Sequence, residues 1–437
     1  MDSTRRRFRS VTAAFMTRAL LTVALILIVQ LNSANAFAQG TWTTLSGSGM
    51  PTPRWWSAAV VSAGDIGVVG GFTPSGGNLT TDERFPVGTP TAWGPELPIP
   101  SVQTAPAYAG GAYVAGGNNG SGPVATLSIV TSPFAWSTGT SMPTARQAPA
   151  GALGGSLFYV MGGNTGSAVT GALEAYNPST DSWTSVAPML SPRSDLGADT
   201  IDGIIYAAGG SDGTSPALAT LEAYDPATNT WATKASMPTA RADLAVVALY
   251  GLLYAIGGRG ADGSPVATVE AYNPVTDTWA TLPSMPTARW GLVAIVASFP
   301  DCGICSHVPA IYAIGGALDA AGTTATGANE FFVPQCGTVN VTPTSLSFRH
   351  KRKQTVTVTN TGSVNVGIFS TLGTFSPLSI HSDTCSGNVL VPSASCTITV
   401  KSSRLIRGAL TDTLTINDSA CENPQTVTLS GAKTAAP

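Results

Sequence analysis

The chain has 437 residues, 43% apolar and only 10% charged, with 21 Lys+Arg against 24 Asp+Glu for a net charge of −3. Charge so sparse and balanced excludes a self-repelling disordered chain, and equally a nucleic-acid binder, which needs a basic excess to meet phosphate. The 48 Gly and 31 Pro punctuate short apolar runs, as in a protein of many short strands and turns; the 3 His are too few for a catalytic metal centre, so neither metal nor cofactor is expected.

The chain opens like an export signal. Arg5, Arg6, Arg7 and Arg9 form a charged head, Ala19 to Val29 an apolar stretch, and Ala36-Phe37-Ala38 a small-x-small cleavage site. That stretch is shorter than the ~20 residues of a membrane span. The opening arginines also resemble a twin-arginine signal. Residues 1–38 are expected to be removed near Ala38, leaving an extracytoplasmic protein (periplasmic, cell-surface or secreted) without a membrane span.

From there a repeat sets the organisation. An apolar run ending in Gly-Gly recurs at Gly70, Gly116, Gly162, Gly209, Gly257 and Gly315, at separations of 46, 46, 47, 48 and 58. A Trp keeps the same phase at Trp42, Trp93, Trp136, Trp183, Trp231 and Trp279, and in the clearest copies Tyr176, Tyr224 and Tyr272 stand seven residues before it. Each unit holds four strand-sized pieces; in the fifth these are Leu244–Ala248, Leu252–Ile256, Thr268–Tyr272 and Thr278–Thr281. One such sheet cannot bury both faces, so neighbouring sheets must stack around an axis. With Gly-Gly, Tyr and Trp in register, residues 41–333 resemble the kelch family, which implies an all-β fold with a six-bladed β-propeller over 39–333. Trp42 has no Gly-Gly before it and the sixth unit has no Trp after Phe331-Phe332, so the N-terminal strand 41–45 is expected to close the ring.

After Pro334 alternating strands replace the repeat. The segments Thr355–Val366, Cys385–Thr397 and Pro424–Gly431 are similar to the immunoglobulin-like modules related to the ASPM–SPD-2–Hydin family (choice-of-anchor D type), which implies a C-terminal β-sandwich of seven strands over 334–431, with a tail at 432–437. Cys385 and Cys396 are the best disulfide pair; the resemblance suggests that Cys336 and Cys421 meet at the ends of the sandwich, and Cys302 with Cys305 reads as a clipped loop.

The candidate site lies on one face of the propeller. Arg54, Arg146, Arg193, Arg241 and Arg289 recur once per unit, missing only from the second, and are expected to ring the channel mouth. Asn118, Asn164, Asp212, Arg259 and Asp262 join them on the loops after Gly-Gly. Kelch propellers commonly bind ligands there, and guanidinium forks suit an anion. The structural alternative is that each Arg bonds loop carbonyls or an acidic neighbour, with Asp195 and Asp243 two residues after Arg193 and Arg241, and Glu174, Glu222 and Glu270 in the third strands. The chain is therefore expected to be a non-catalytic binding protein for a protein or glycan ligand, anionic if the arginines hold it. Its resemblance to exported kelch sugar mutarotases leaves a sugar-modifying enzyme as the other reading.

Overall fold

The computed structural model describes residues 40–431 apart from 46–48, 63, 76, 88–92, 95–96, 100–105, 110–111, 132–134, 299–308, 335–337, 349–351, 363–365, 373–377, 387, 392, 403–409 and 419–424. The expected signal, the tail, and Cys302, Cys305, Cys336 and Cys421 lie outside the described residues. Among those described there is no helix; the elements are strands.

Residues 40–334 form six four-stranded antiparallel sheets. Their first strands are Ala58–Ser62, Ala107–Ala109, Ala150–Gly154, Gly197–Ile201, Ala245–Leu249 and Val293–Ser298. Each first strand touches that of the next sheet, and the sixth touches the first, so these contacts run full circle. In the fifth sheet the strands are Ala245–Leu249, Leu252–Ile256, Val269–Asn273 and Thr278–Leu282, each beginning within one residue of the position read from the sequence. The first sheet departs from the repeat: its fourth strand is only Leu97–Pro98, and Trp93 lies ahead of it, packed on Phe85 with ring centres 5.4 Å apart.

The sixth sheet takes its fourth strand from the other end of the chain. Gly40–Thr44 pairs antiparallel with Asn329–Pro334, Trp42 opposite Phe332. The Trp42 ring lies 5.3 Å from the Phe332 ring, and its indole N–H donates to the Pro283 carbonyl of the fifth unit.

Recurring aromatics hold neighbouring sheets together. Tyr176 packs on Trp183 across their strand pair with ring centres 5.2 Å apart, and the Trp183 indole donates to the Thr140 carbonyl of the preceding unit. Asp181, at positive φ (47°) in the turn between them, accepts from both the Tyr176 hydroxyl and the Thr140 N–H. Asn229 and Asp277 repeat this with Tyr224 and Tyr272, each accepting an N–H from the unit before. A short acceptor that tolerates positive φ is what such a turn requires.

Residues 339–431 form a four-stranded and a five-stranded sheet. Val356, Val358, Ile398 and Val400 of the first share one apolar core with Leu414, Ile416, Val427 and Leu429 of the second. Among the described residues there are nine strands where seven were expected, the additional pairing including Ser345–Ser347, which runs parallel to residues 428–430, and the two-residue strand Val389–Leu390. Cys385 and Cys396 form a disulfide.

Candidate functional site

The recurrent arginine and the recurrent Gly-Gly belong to one device. In the fifth sheet Arg241 donates from Nη1 to the carbonyls of Gly257 (2.9 Å) and Thr268 (2.8 Å), and from Nη2 to that of Ala255 (3.3 Å). Nη2 also meets Glu270 Oε2 at 2.8 Å, while Glu270 Oε1 accepts from Thr239. Arg54 pairs with Glu83, Arg146 with Glu174, Arg193 with Glu222 and Arg289 with Glu330, at 2.9 to 3.1 Å. All five arginines are fully buried. Burial draws the pKa of Arg146, Arg193, Arg241 and Arg289 down, in Arg289 to about 10, against the pull of the paired glutamate.

The arginine backbone reaches the other way. Its carbonyl accepts from the second glycine of the preceding unit: Arg146 from Gly117, Arg193 from Gly163, Arg241 from Gly210, Arg289 from Gly258, and Arg54 from Gly316. Both glycines of each pair have positive φ, and a Cβ on Gly162 would stand 2.4 Å from the Arg193 carbonyl oxygen. The motif is therefore a close approach of two backbones, which a side chain would block.

These contacts correct the expectation that the arginines line the mouth as an anion cradle. Their guanidinium groups are committed to carbonyls and a carboxylate inside the sheets, the structural alternative weighed from the sequence. Glu83 and Glu330 belong to the same set but escaped the sequence reading, because Asp82-Glu83 and Asn329-Glu330 lack the Leu/Val-Glu-Ala-Tyr context of the other copies. In the second sheet Ser128 takes the glutamate's register position, opposite Val114 as Glu174 is opposite Val160. The unit without the arginine is thus also without its partner.

What lines the mouth is the residue two positions after each arginine. Trp56, Ala148, Asp195, Asp243 and Gly291 have φ between 51° and 62°. Trp56 donates its N–H to the Gly291 carbonyl, Gly291 to Asp243, Asp243 to Asp195, and Asp195 to Ala148, at 2.8 to 3.0 Å. This chain of bonds turns their side chains toward a cavity of about 90 Å³ at the centre of the ring, where all five are lining residues. A second space of about 270 Å³ adjoins it, sharing Tyr108, Gly151, Ala198 and Val246, and contains the Asp199 carboxylate.

Asp243 is the electrostatic centre of the mouth. One oxygen accepts the Trp56 indole N–H (2.7 Å) and the other lies 2.5 Å from Arg259 Nε. Burial first, then the Asp195 carboxylate, pushes the Asp243 acid up to about 7, with Arg259 and Trp56 opposing. Arg259 also lies over the Trp290 ring, 5.1 Å from its centre, in a cluster with Trp55 and Phe72. Deeper in the channel, burial raises Asp199 to about 6 against the N–H groups of Ala248 and Thr200.

The other candidates stand on the surrounding loops, each tied to its own turn. Asn118 bonds Gln147 and accepts the Gly120 N–H; Asn164 accepts the Gly166 N–H. Asp212 accepts from Thr214 and Ser215 and Asp262 from Ser264, which holds both carboxyls below the usual range. Ser211, Thr214 and Arg259 line a groove between the fourth and fifth loops. Among the described residues no cluster of three or more His, Cys, Asp or Glu could hold a metal, and no helix is long and apolar enough to cross a membrane.

A family model described as the KLHDC2/KLHL20/DRC7 Kelch-repeats domain matches residues 103–299. Over that stretch the chain carries kelch repeats, and its all-β sheets are consistent with a β-propeller. The chain is also similar to Kelch-like ECH-associated protein 1A of Danio rerio, 41% identical over 54 residues, a stretch that is 11% of this chain and 9% of that protein. The matched kelch region contains three of the five buried Arg–Glu pairs, those of Arg146, Arg193 and Arg241, together with their Gly-Gly contacts.

Proposed function

We propose that the chain is an exported, non-catalytic binding protein. In this reading a six-bladed kelch propeller, closed by strand 40–44, recognises a protein or glycan partner at the channel mouth. The immunoglobulin-like sandwich, of ASPM–SPD-2–Hydin type, spaces or attaches it outside the cytoplasm. The supporting observation is the cavity at the centre of the loop face, whose Trp56, Asp195 and Asp243 are held by bonds between neighbouring sheets. Asn118, Asn164, Asp212, Arg259 and Asp262 on the encircling loops supply the outer polar contacts. Export is supported by the arginine-headed apolar start and agrees with the Cys385–Cys396 disulfide.

Blocking the mouth tests this reading. Ala148 occupies the same left-handed position as Trp56, so Ala148→Trp is compatible with the backbone and places a second indole at the opening. The mature chain should select ligands from arrays of peptides, acidic sugars and cell-wall fragments. Ala148→Trp is expected to abolish that binding without lowering the melting temperature; undiminished binding would move the site elsewhere.

The second reading, a mutarotase-type enzyme, draws on the adjacent Asp195 and Asp243 carboxyls, a pair able to pass a proton to and from a sugar ring. Anomer exchange of neutral and acidic sugars, followed by NMR, separates the two. No acceleration is expected; acceleration lost in Asp243→Asn would favour the enzyme.

A further inference from the structure

The six-sheet region and the two-sheet region carry opposite net charge. Residues 39–334 hold 8 Lys+Arg against 19 Asp+Glu, and five of these arginines are already paired with buried glutamates. Residues 335–431 hold 7 Lys+Arg against 4 Asp+Glu, and the seven cations fall in two runs, 349–353 and 401–407. Folding joins the described ends of these runs. Lys353 opens the strand Lys353–Asn360, Lys401 stands near the end of its antiparallel neighbour Ser395–Ser402, and the register sets the two directly opposite. Beyond that neighbour, Ser379 of Leu378–Asp383 lies opposite Lys401. The Lys353 ammonium reaches the same third strand and donates to His381 Nε2 at 2.6 Å.

These cations are exposed and unopposed. Arg352, Lys353, His381 and Lys401 all face solvent, and among the described residues Arg352, Lys353 and Lys401 have no ion pair. The described acids of this region do not offset them: Asp383 accepts from the Cys385 and Ser386 N–H groups, Asp418 is fully buried, and Asp412 belongs to the other sheet. Like charges directly opposite on neighbouring strands weaken a sheet, and a bound anion would offset that cost. The surroundings narrow the anion's chemistry. Beyond the lysines the two central strands turn only Thr and Ser outward, while their Val and Ile side chains enter the core. The Thr355 and Thr399 hydroxyls lie 3.0 Å apart, and those of Thr359 and Ser395 2.8 Å. The outward side of this strand pair thus has no apolar or aromatic side chain to insert into a lipid surface. Hydroxyl rows beside cations suit a hydrated polymer that offers hydroxyls and carboxylates in succession.

We propose that this face of the two-sheet region binds an acidic polysaccharide, its carboxylates received by Arg352, Lys353 and Lys401 and its hydroxyls by the threonine rows. The acidic balance of residues 39–334 repels the same polymer, which assigns it to the C-terminal region. The inference rests on the reading of the sandwich as the attaching part of the chain and names the chemistry of what it attaches to.

The test measures binding of the mature chain to immobilised polygalacturonate, with dextran as the neutral polymer and phosphatidylglycerol vesicles as an anionic lipid surface. Polygalacturonate is expected to retain the chain, dextran to let it pass, and the vesicles to bind it more weakly than polygalacturonate does. Raising NaCl from about 0.1 to about 1 M, which shortens the screening length from about 10 to about 3 Å, should abolish retention. Lys401→Gln should weaken binding about three-fold, the scale of one exposed ion pair, and Lys401→Glu about ten-fold, because reversal removes one attraction and adds one repulsion. Lys353→Glu should match Lys401→Glu. The melting temperature of Lys401→Glu is expected to stay level or rise, since opposite charges then face each other across the strands. Equal retention by dextran, tighter binding to the vesicles, or undiminished binding in both Lys401→Glu and Lys353→Glu would overturn the proposal. Ala148→Trp is expected to leave polygalacturonate binding unchanged; its loss there would overturn the assignment to the C-terminal region. Array ligands lost in Ala148→Trp but kept in Lys401→Glu belong to the channel mouth, so either reading can fail while the other stands.

Discussion

Arg241→Ala is expected to lower the stability of the propeller by about 3–5 kcal/mol, the cost of leaving one partner of a buried ion pair uncompensated. Arg241 and Glu270 are both fully enclosed, so removing the guanidinium leaves Glu270 without its counter-charge in a dry wall and takes one donor from each of the Gly257, Thr268 and Ala255 carbonyls. Glu270→Gln should cost less, because the amide oxygen can still accept from Arg241 while its NH2 donates to the Thr239 hydroxyl. The double substitution Arg241→Met with Glu270→Leu should recover much of the loss, since an apolar pair avoids the desolvation of both charges. Equilibrium urea denaturation of the three variants provides the check. Equal stability of Arg241→Ala and the unaltered chain would mean that the buried pair is not a stabilising element.

Deleting residues up to 45 is expected to destabilise the ring by about 3 kcal/mol or more, from the loss of the half-buried Trp42 together with ladder hydrogen bonds at about 1 kcal/mol each. Without strand 40–44 the edge of Asn329–Pro334 is left bare, Phe332 loses Trp42, and the bond from Trp42 to the Pro283 carbonyl disappears. An exposed edge of this kind also invites pairing with another chain. Thermal unfolding and light scattering of the truncated chain check both effects; an unchanged transition and a monomeric profile would show that closure contributes nothing.

The buried pair and the closing strand differ in how openly the sequence announces them. The closing strand was legible because Trp42 carries a landmark out of its place: a fourth-strand Trp with no Gly-Gly before it, matched by a sixth unit lacking one. The arginines were equally conspicuous, yet their direction was not. Arg241 could face the channel or the wall, and only the register that sets Glu270 opposite Ala255 and Thr281 decides for the wall. Glu83 and Glu330 show the same limit, because their pairing depends on strand register rather than on a recognisable local motif. Asp243 stands out in the sequence only as an acidic neighbour of Arg241, a partner that it does not take. It gains its place at the mouth from neighbours distant in sequence, above all Trp56, 187 residues away.

By itself the amino-acid order determined the strand positions of the clearest unit, the unit length, the kelch resemblance, and the strand borrowed from the N-terminus. Strand period, positive-φ glycine and aromatic spacing are local or repeating properties, and they survive in one dimension. Tertiary structure alone decided that the arginines turn inward and that Asp195 and Asp243 share the mouth. Burial and charge pairing depend on which residues meet across sheet boundaries, and closing the ring brings together side chains that the sequence holds far apart.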